Sequence, residues 1–123
     1  MTQEDKELLL KDLSARLPYG VKICYTEFEY KTKSVWDVDY IYKKDIIVCK
    51  HPYARHKIEN CLLYLRPLTS MTEEEKAGLF QLMGNGTDIQ RIDFYLSHYF
   101  DFRCLIPMGL AIEAPKGMYN ITK

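Results

Sequence analysis

The sequence contains none of the short motifs by which many enzyme active sites are recognised. It lacks a glycine-rich phosphate loop, a G-x-S-x-G nucleophile turn and an H-E-x-x-H zinc-protease helix. Each of these motifs places a nucleophile, a metal or a phosphate-binding backbone at a defined point of a fold. We therefore expect a non-enzymatic protein, although the paired carboxylates Asp37 and Asp39 leave an acid–base or metal-assisted activity open.

Hydrophobic runs of membrane-spanning length are also absent from the sequence. Its apolar stretches, such as 8–10 and 46–49, are far below the roughly 20 residues that a transmembrane helix needs. The N-terminus is charged from Glu4 to Glu7, which is unlike the apolar core of a secretory signal. We therefore expect a cytoplasmic protein that does not associate with membranes.

The cysteines lack the close spacing of a disulfide-rich or C-x-x-C protein. There are four of them, widely separated: Cys24, Cys49, Cys61 and Cys104. Because intracellular thiols stay reduced, we expect free cysteines rather than a disulfide framework. A chain of 123 residues with an apolar fraction of 47% is long enough to bury a core without cross-links. We expect it to form one domain.

An excess of charge of either sign is missing as well. Acidic and basic residues number 17 each, so the protein has no net positive charge that would attract nucleic acid or anionic membranes. Aromatic residues, in contrast, are abundant: they make up 13% of the chain and include ten tyrosines. Tyrosines favour half-buried strand positions, and on a surface they provide large contact area at low entropic cost. The aromatic excess fits both a β-rich core and a binding face.

Hydrophobic periodicity predicts an α+β fold. An N-terminal helix begins after the capping residue Thr2 and ends before Gly20. Its apolar stripe consists of Leu9, Leu10, Leu13 and Leu17. The apolar period then changes to two, as in strands, and four segments fit: 21–26, 35–42, 46–50 and 58–65. Their short connections predict an antiparallel meander of three to five strands.

The last part of the sequence predicts helices again. Thr72 and Glu75 have the spacing of a capping box for a helix that ends near Met83. Thr87 or Asp88 caps a further helix after a glycine-rich turn. The apolar face of that helix comprises Ile89, Ile92, Leu96 and either Tyr95 or Tyr99. We expect the two C-terminal helices to pack on one side of the sheet, and the chain to continue into a short strand at 110–113.

Three stretches of the sequence are familiar when read together. They are 2–22 (TQEDKELLLKDLSARLPYGVK), 64–76 (YLRPLTSMTEEEK) and 98–120 (HYFDFRCLIPMGLAIEAPKGMYN). They resemble a group of small proteins encoded in gut Bacteroidales genomes, including the phages and integrated elements of those genomes. The resemblance covers about half of the chain, and the sequence departs from it between residues 24 and 63. It implies an accessory protein of a mobile element and brings with it no activity, cofactor or active-site residue.

The tyrosines of the middle segment form the candidate protein-binding surface. Tyr40 and Tyr42 lie on one face of the predicted strand 35–42, and Tyr53 follows the next predicted strand. Large, rigid tyrosine side chains are enriched where proteins contact their partners. Our preferred interpretation is a non-enzymatic accessory protein that binds a protein partner through these tyrosines and needs no cofactor.

The same segment contains the one basic cluster of the sequence. Between residues 43 and 57, five cations stand against a single acid, Asp45. The cations are Lys43, Lys44, Lys50, Arg55 and Lys57. Cations that hold phosphates beside tyrosines that stack on bases are typical of single-strand binding. The alternative function is therefore a single-stranded nucleic-acid-binding module, although the aromatic motif of an RRM domain is absent.

A third hypothesis is a small zinc-binding module or metalloenzyme. Thiolates and imidazoles are zinc ligands, and four candidates occur with the spacing C-x-H-x4-H-x4-C. They are Cys49, His51, His56 and Cys61. The opening C-x-x-C of a zinc knuckle is missing, so the ordinary interpretation is two strand cysteines and two loop histidines.

Ser97, His98 and Asp101 are close in sequence, but catalytic triads are defined by convergence in space. His98 lies where the last predicted helix ends, and there its charge complements the helix dipole. We expect Asp101 to pair with Arg103, which leaves no catalytic assignment for this segment.

Overall fold

The computed structural model describes residues 2–25, 36–38, 40–42, 45–48, 54–58 and 61–119. Within these residues the chain forms three α-helices and seven β-strands in two sheets, which confirms a mixed α+β fold. The helices are α1 (Gln3–Arg16), α2 (Glu73–Asn85) and α3 (Asp88–Ser97). In this described part of the chain, no helix is both long enough and apolar enough to cross a membrane.

Each α-helix begins after a threonine whose side chain caps it. The hydroxyls of Thr2, Thr72 and Thr87 each accept a hydrogen bond of 3.0–3.2 Å from the backbone N–H three residues later. The acid or amide side chain at that later position binds back to the threonine N–H, which completes a capping box. The helix starts predicted from the sequence are confirmed, with Thr87 rather than Asp88 as the cap of α3.

The strands form one sheet of four and one of three. They are β1 (Lys22–Tyr25), β2 (Trp36–Asp37), β3 (Tyr40–Tyr42), β4 (Asp45–Val48), β5 (Ala54–Lys57), β6 (Cys61–Leu65) and β7 (Ala111–Glu113). The larger sheet has the order β2-β1-β6-β7 and the smaller β3-β4-β5. β6 and β7 run parallel, with Leu63 opposite Ala111, and the other described pairs are antiparallel.

The strand arrangement differs from the single meander predicted from the sequence. Residues 35–42 do not form one strand, because β2 belongs to the larger sheet and β3 to the smaller one. Between these strands Val38 is buried, and its N–H donates to the carbonyl of Val21 at 3.1 Å. β5 has no counterpart in the prediction, because its sequence ARHK lacks alternating apolar residues.

One hydrophobic cluster joins α1, both sheets and the loop before β7. Its buried members are Leu9, Leu13, Val21, Ile23, Val38, Ile46, Ile58, Cys61, Leu63, Leu65, Leu105, Leu110 and Ala111. Leu10 and Leu17, which the sequence places on the apolar stripe of α1, are half-buried and pack against it. Among the described residues, α2 and α3 contribute none to this core. The hairpin of these two helices is therefore attached by other contacts.

Candidate functional site

A partly buried ion pair attaches the α2–α3 hairpin to the rest of the chain. Arg66, which follows β6, donates two hydrogen bonds of 2.7 and 2.8 Å to the carboxylate of Glu75. Its guanidinium also donates to the carbonyls of Ser70 and His98 and lies 4.3 Å from the centre of the Phe100 ring. Hydrogen bonding to Arg66 lowers the pKa of Glu75 from 4.5 to about 2. Glu75 therefore stays ionised near neutral pH and holds the first turn of α2 in place.

A short turn closes the hairpin. The N–H of Gly86 donates to the carbonyl of Leu82 at 2.8 Å, and a Cβ at Gly86 would lie 2.7 Å from that oxygen. Arg91 of α3 donates to the carbonyls of Leu82 and Gly86 at 2.9 and 3.0 Å, which satisfies the end of α2. Where the helices approach, a Cβ at Gly78 would be 3.5 Å from the Phe94 ring. Gly78 and Gly86 thus allow the two helices to approach closely, and Arg91 joins them by hydrogen bonds.

Two large apolar side chains of α2 project into solvent. The exposed fractions of Phe80 and Met83 are 79% and 65%. They are three residues apart and are therefore neighbours on one side of the helix. The opposite side carries Glu75, Gly78 and Leu82, which are buried or half-buried. We call Phe80 and Met83 the α2 pair.

An apolar stripe on α3 runs from the interior of the protein to solvent. Leu96 is buried, whereas Ile92 is 43% exposed and Ile89, nearest the start of the helix, is 72% exposed. We call these three residues the α3 stripe. The sequence predicts the stripe but not its exposure, because periodicity identifies an apolar face without showing what covers it.

The hairpin carries four exposed acidic side chains. They are Glu73 and Glu74 of α2 and Asp88 and Asp93 of α3. With about 3.6 residues per turn, Asp88 and Asp93 fall on opposite sides of the α3 stripe. Asp88 pairs with Arg91, and Asp93 accepts a hydrogen bond of 3.0 Å from the hydroxyl of Tyr19. That hydrogen bond raises the pKa of Tyr19, so its phenol stays protonated.

The end of α3 is fixed by a left-handed residue that is not glycine. Tyr99 has φ 64°, and the N–H of Phe100 donates to the carbonyl of Tyr95 at 2.9 Å, as in a Schellman motif. The ring of Tyr99 stacks on that of Tyr119 at 3.9 Å, and its hydroxyl donates to the carbonyl of Tyr19 at 2.8 Å. These contacts offset the cost of about 1 kcal/mol of the left-handed backbone.

Tyr119 fastens the segment after β7 to the larger sheet. Its hydroxyl donates to the carbonyl of Tyr64 at 2.6 Å and accepts from the N–H of Lys22 at 2.9 Å. Burial raises the pKa of Tyr119, and burial beside the Cys24 thiol raises the pKa of Tyr64 to about 12. Both phenols are neutral and bonded within the fold, which suits a structural role rather than acid–base catalysis.

The smaller sheet positions two of the residues predicted to bind a partner or nucleic acid. Tyr40 on β3 is 42% exposed and Lys57 on β5 is exposed, whereas Ile46 on β4 is fully buried. In the register of this sheet, Tyr42 and Lys57 are both opposite Asp45. Residues that are opposite each other, or two apart on one strand, lie on the same face of a sheet. The face that carries Lys57, Asp45 and Tyr40 is therefore the one opposite to Ile46.

The other members of that prediction are only partly described. For Tyr42 and Arg55, the structure gives the backbone position in β3 and β5 respectively. Tyr53, Lys43, Lys44 and Lys50 lie outside the described residues. The tyrosine surface and the basic cluster therefore stay predictions.

Two of the four zinc candidates fall within the described strands. The thiol of Cys61 is buried in β6 and donates to the carbonyl of Lys57 at 3.4 Å. His56 is placed in β5 opposite Ile46, and Cys49 and His51 lie outside the described residues. Among the residues that the structure describes, no group of three potential metal ligands comes together.

Ser97 and His98 contact each other, but the nearby Asp101 has other partners. The Ser97 hydroxyl lies 3.2 Å from Nδ1 of His98, which is also 2.8 Å from the carbonyl of Phe94. The carboxylate of Asp101 accepts two backbone N–H groups of the following turn, at 2.8 and 2.9 Å. His98 caps the C-terminus of α3 as expected, and the three residues do not form a triad.

A buried charge network under α1 was missed by the sequence analysis. Asp12 and Arg16 are fully buried and pair at 2.7 Å, and Arg16 also donates to the carbonyl of Phe100 at 2.7 Å. Arg103 binds Asp12 at 3.0 Å rather than the expected Asp101. The only available signal was the spacing of Asp12 and Arg16 by four residues, which is usual for exposed pairs.

A cleft of about 400 Å³ lies between the start of α2 and the segment after β7. Its polar lining includes Arg66, Thr72, Glu113, Lys116 and Tyr119. Arg66 is occupied by the carboxylate of Glu75, and the Thr72 hydroxyl and the Tyr119 hydroxyl are bonded to backbone groups. Three of the five groups are thus engaged within the fold, and the other two, Glu113 and Lys116, are exposed.

Within the described residues, the α2–α3 hairpin and the solvent face of the smaller sheet are candidate binding surfaces. Comparisons with protein-family models, with curated proteins and with solved structures found no match to this chain.

Proposed function

We propose that this chain is a non-enzymatic protein-binding module that contacts its partner through exposed apolar side chains of the α2–α3 hairpin. The observation that carries the proposal is the exposure of Phe80, Met83 and Ile89, whose exposed fractions lie between 65% and 79%. Fully burying such a side chain is worth roughly 1.5 to 3 kcal/mol. Phe80 and Met83 are neighbours on α2, and adjacent exposed apolar side chains of this kind are typical of surfaces that a partner covers.

The attachment of the hairpin supports this function. The Arg66–Glu75 pair fixes the first turn of α2, and Arg91 fixes the turn between the helices. A surface that is already ordered before binding loses less conformational entropy in the complex. The exposed side chains are therefore presented by a preorganised element.

The resemblance to proteins of Bacteroidales mobile elements supports a partner encoded by such an element or by its host. In this proposal the chain is an accessory component that recruits or caps another protein. The partner is expected to be a protein, and its binding requires no cofactor.

Affinity capture with matched variants tests the proposal. The test variant Phe80→Ser, Met83→Ser removes the α2 pair, and the control Ala77→Ser, Gln81→Ser changes two exposed residues of the same helix. We expect a protein that is retained in stoichiometric amount by the wild type and the control and lost by the test variant. Nuclease treatment should leave this capture unchanged. Identical retention by all three chains would contradict the assignment of the surface.

The tyrosines predicted from the sequence are a second contact surface for the same partner. Tyr40 is 42% exposed on the smaller sheet, which supports a contact there. Replacing Tyr40, Tyr42 and Tyr53 by Ala should abolish capture without unfolding the protein. Unchanged capture would restrict the interaction to the hairpin.

Single-stranded nucleic-acid binding is the second candidate function. It is favoured by the presence of Tyr40 and Lys57 on the solvent face of one sheet, where a ring can stack and a cation can bind phosphate. Affinity for an oligonucleotide should then fall steeply between about 50 and 200 mM salt, and Lys57→Gln should lower the salt slope by about 1. Absence of binding at low salt would exclude this function.

A further inference from the structure

We infer that the α2–α3 hairpin undocks as one cooperative unit while the hydrophobic core stays folded. The hairpin comprises residues 73–97, and the core is the cluster that joins α1, both sheets and the loop before β7. The protein then has a minor open form in which the surface of α3 differs from that of the closed form. No partner enters this inference, which therefore stands apart from the proposed function.

The hairpin buries little apolar surface against the core. In α2 and α3 the buried residues are Glu75 and Leu96, and neither belongs to the core cluster. Burial of apolar area is the dominant favourable contribution to folding. Separating the hairpin from the rest of the chain therefore removes much less stabilisation than unfolding the core.

Two aromatic side chains of α3 contact the segment that follows this helix. Phe94 and Tyr95 are half-buried and stack on Phe100 and Phe102, with ring centres 6.2 and 5.3 Å apart. Neither Phe100 nor Phe102 belongs to the core cluster. These rings therefore join the hairpin to its own continuation and not to that cluster.

The hydrogen-bonded links to the rest of the chain lie at the base of the hairpin. Arg66 binds the carboxylate of Glu75 in the first turn of α2 and the carbonyl of His98 just after α3. Tyr19 donates to Asp93 at 3.0 Å in an exposed hydrogen bond. When the hairpin opens, water replaces each of these partners, so that no buried polar group is left unpaired.

The two helices are bound to each other as well. Arg91 of α3 donates to the carbonyls of Leu82 and Gly86 at the end of α2, at 2.9 and 3.0 Å. Isolated helices as short as α2 and α3, with 13 and 10 residues, are marginal in water. Neither helix therefore persists without the other, and they separate from the core together.

Opening changes what α3 presents to solvent. In the closed form Leu96 is buried, and Ile89 and Ile92 are the exposed members of the α3 stripe. In the open form Leu96 is exposed too, so the stripe is accessible over its whole length. Local opening of this kind requires less free energy than global unfolding.

Native-state hydrogen exchange of the full chain separates local opening from global unfolding. The core variant Ile23→Val weakens the cluster and leaves the contacts of the hairpin in place, since Ile23 is fully buried in β1. Amides of β1 and β6 should exchange roughly two- to twelvefold faster in this variant. Amides of α2 and α3 should keep their wild-type rate, because the hairpin opens without unfolding β1.

A hairpin variant gives the complementary result. Glu75→Gln weakens the link to Arg66 and should accelerate exchange in α2 and α3 at least about tenfold. The exposed neighbour Glu73→Gln is the matched control and should leave these rates unchanged. In the wild type, the amides of α2 and α3 should already exchange at least about tenfold faster than those of β1 and β6.

Three outcomes would overturn the inference. The first is an equal acceleration of hairpin and strand amides by Ile23→Val, which would show that the chain unfolds as one unit. The second is equally slow exchange of both sets in the wild type, and the third is an unchanged rate in the hairpin of Glu75→Gln. None of these outcomes bears on the proposed function, which the capture experiment tests separately.

Discussion

The guanidinium of Arg66 and the carboxylate of Glu75 form a two-pronged ion pair, with N–O distances of 2.7 and 2.8 Å, at the base of the α2–α3 hairpin. Glu75 serves two functions there, because it also completes the capping box with Thr72 at 2.8 Å. The start of α2 and its attachment to the chain after β6 thus depend on one carboxylate. Its position links the stability of the fold to the presentation of the candidate binding surface.

Protonation of Glu75 should destabilise the protein in acid. Its pKa falls from 4.5 to about 2 on folding, so its contribution is complete above pH 4.5 and is lost as pH drops towards 2. The shift corresponds to about 3 kcal/mol at neutral pH. In urea denaturation at pH 7, Glu75→Gln should be less stable than the wild type by this amount. The difference in unfolding free energy should shrink between pH 4.5 and 2. Glu73→Gln, an exposed neighbour, should change stability by less than about 0.5 kcal/mol; an equal deficit in both variants would contradict the assignment.

Removing the Tyr119 hydroxyl should loosen the segment after β7. Tyr119→Phe leaves the carbonyl of Tyr64 and the N–H of Lys22 without this partner, at a cost of about 1 to 3 kcal/mol. Tyr95→Phe is the control, since its hydroxyl has no hydrogen bond within the described part of the chain. Thermal denaturation should separate the two variants by several degrees, and coincident melting curves would refute the role of the hydroxyl.

The buried Asp12–Arg16 pair should be costly to break and cheap to replace. Asp12→Ala leaves the fully buried Arg16 guanidinium without its carboxylate and should cost about 3 to 5 kcal/mol. The double variant Asp12→Leu, Arg16→Met removes both charges and should be more stable than Asp12→Ala. Denaturant midpoints of the two variants provide the comparison. If Asp12→Leu with Arg16→Met were less stable than Asp12→Ala, the prediction would be wrong. The Arg16 side chain would then stabilise the fold even without its carboxylate partner.

Ionisation of Tyr64 should limit stability in alkali. Its pKa is raised from 10.0 to about 12 on folding, so its contribution is complete below pH 10 and is lost as pH rises from 10 to 12. We expect spectrophotometric titration to show that Tyr64 ionises later than the exposed tyrosines. Tyr64→Phe should remove one late step from the titration of the native protein and leave the late step of Tyr119, whose pKa burial also raises. A titration curve unchanged by this substitution would be incompatible with the buried, protonated phenol.

The local starts of the helices were predictable because their signals are local. Thr72 followed by Glu75 is a capping box in the sequence and in the structure. The second function of Glu75, its pairing with Arg66, depends on a contact between elements that no local pattern encodes. Likewise, the apolar stripe of α3 was predictable, but the exposure of Ile89 depends on which elements pack against the helix, and no local pattern encodes that.

Strand order was not predictable for a similar physical reason. The apolar alternation of 35–42 continues through Val38, yet the chain changes sheets there. Alternation reports only which residues are buried, and Val38 is buried between the two sheets as it would be within one. The position of β7 along the chain was predictable from its local pattern. Its pairing with β6 was not, because this parallel pairing is a non-local contact.

The most direct test of the central claim is the affinity of the purified partner for three chains: the wild type, Phe80→Ser with Met83→Ser, and Ala77→Ser with Gln81→Ser. Calorimetric titration should show at least about a tenfold weaker Kd for the first variant, equivalent to about 1.4 kcal/mol, and an unchanged Kd for the second. Both variants should keep the stability of the wild type within about 0.5 kcal/mol, since the four residues are exposed. Equal affinities for all three chains would show that the hairpin is not the binding surface.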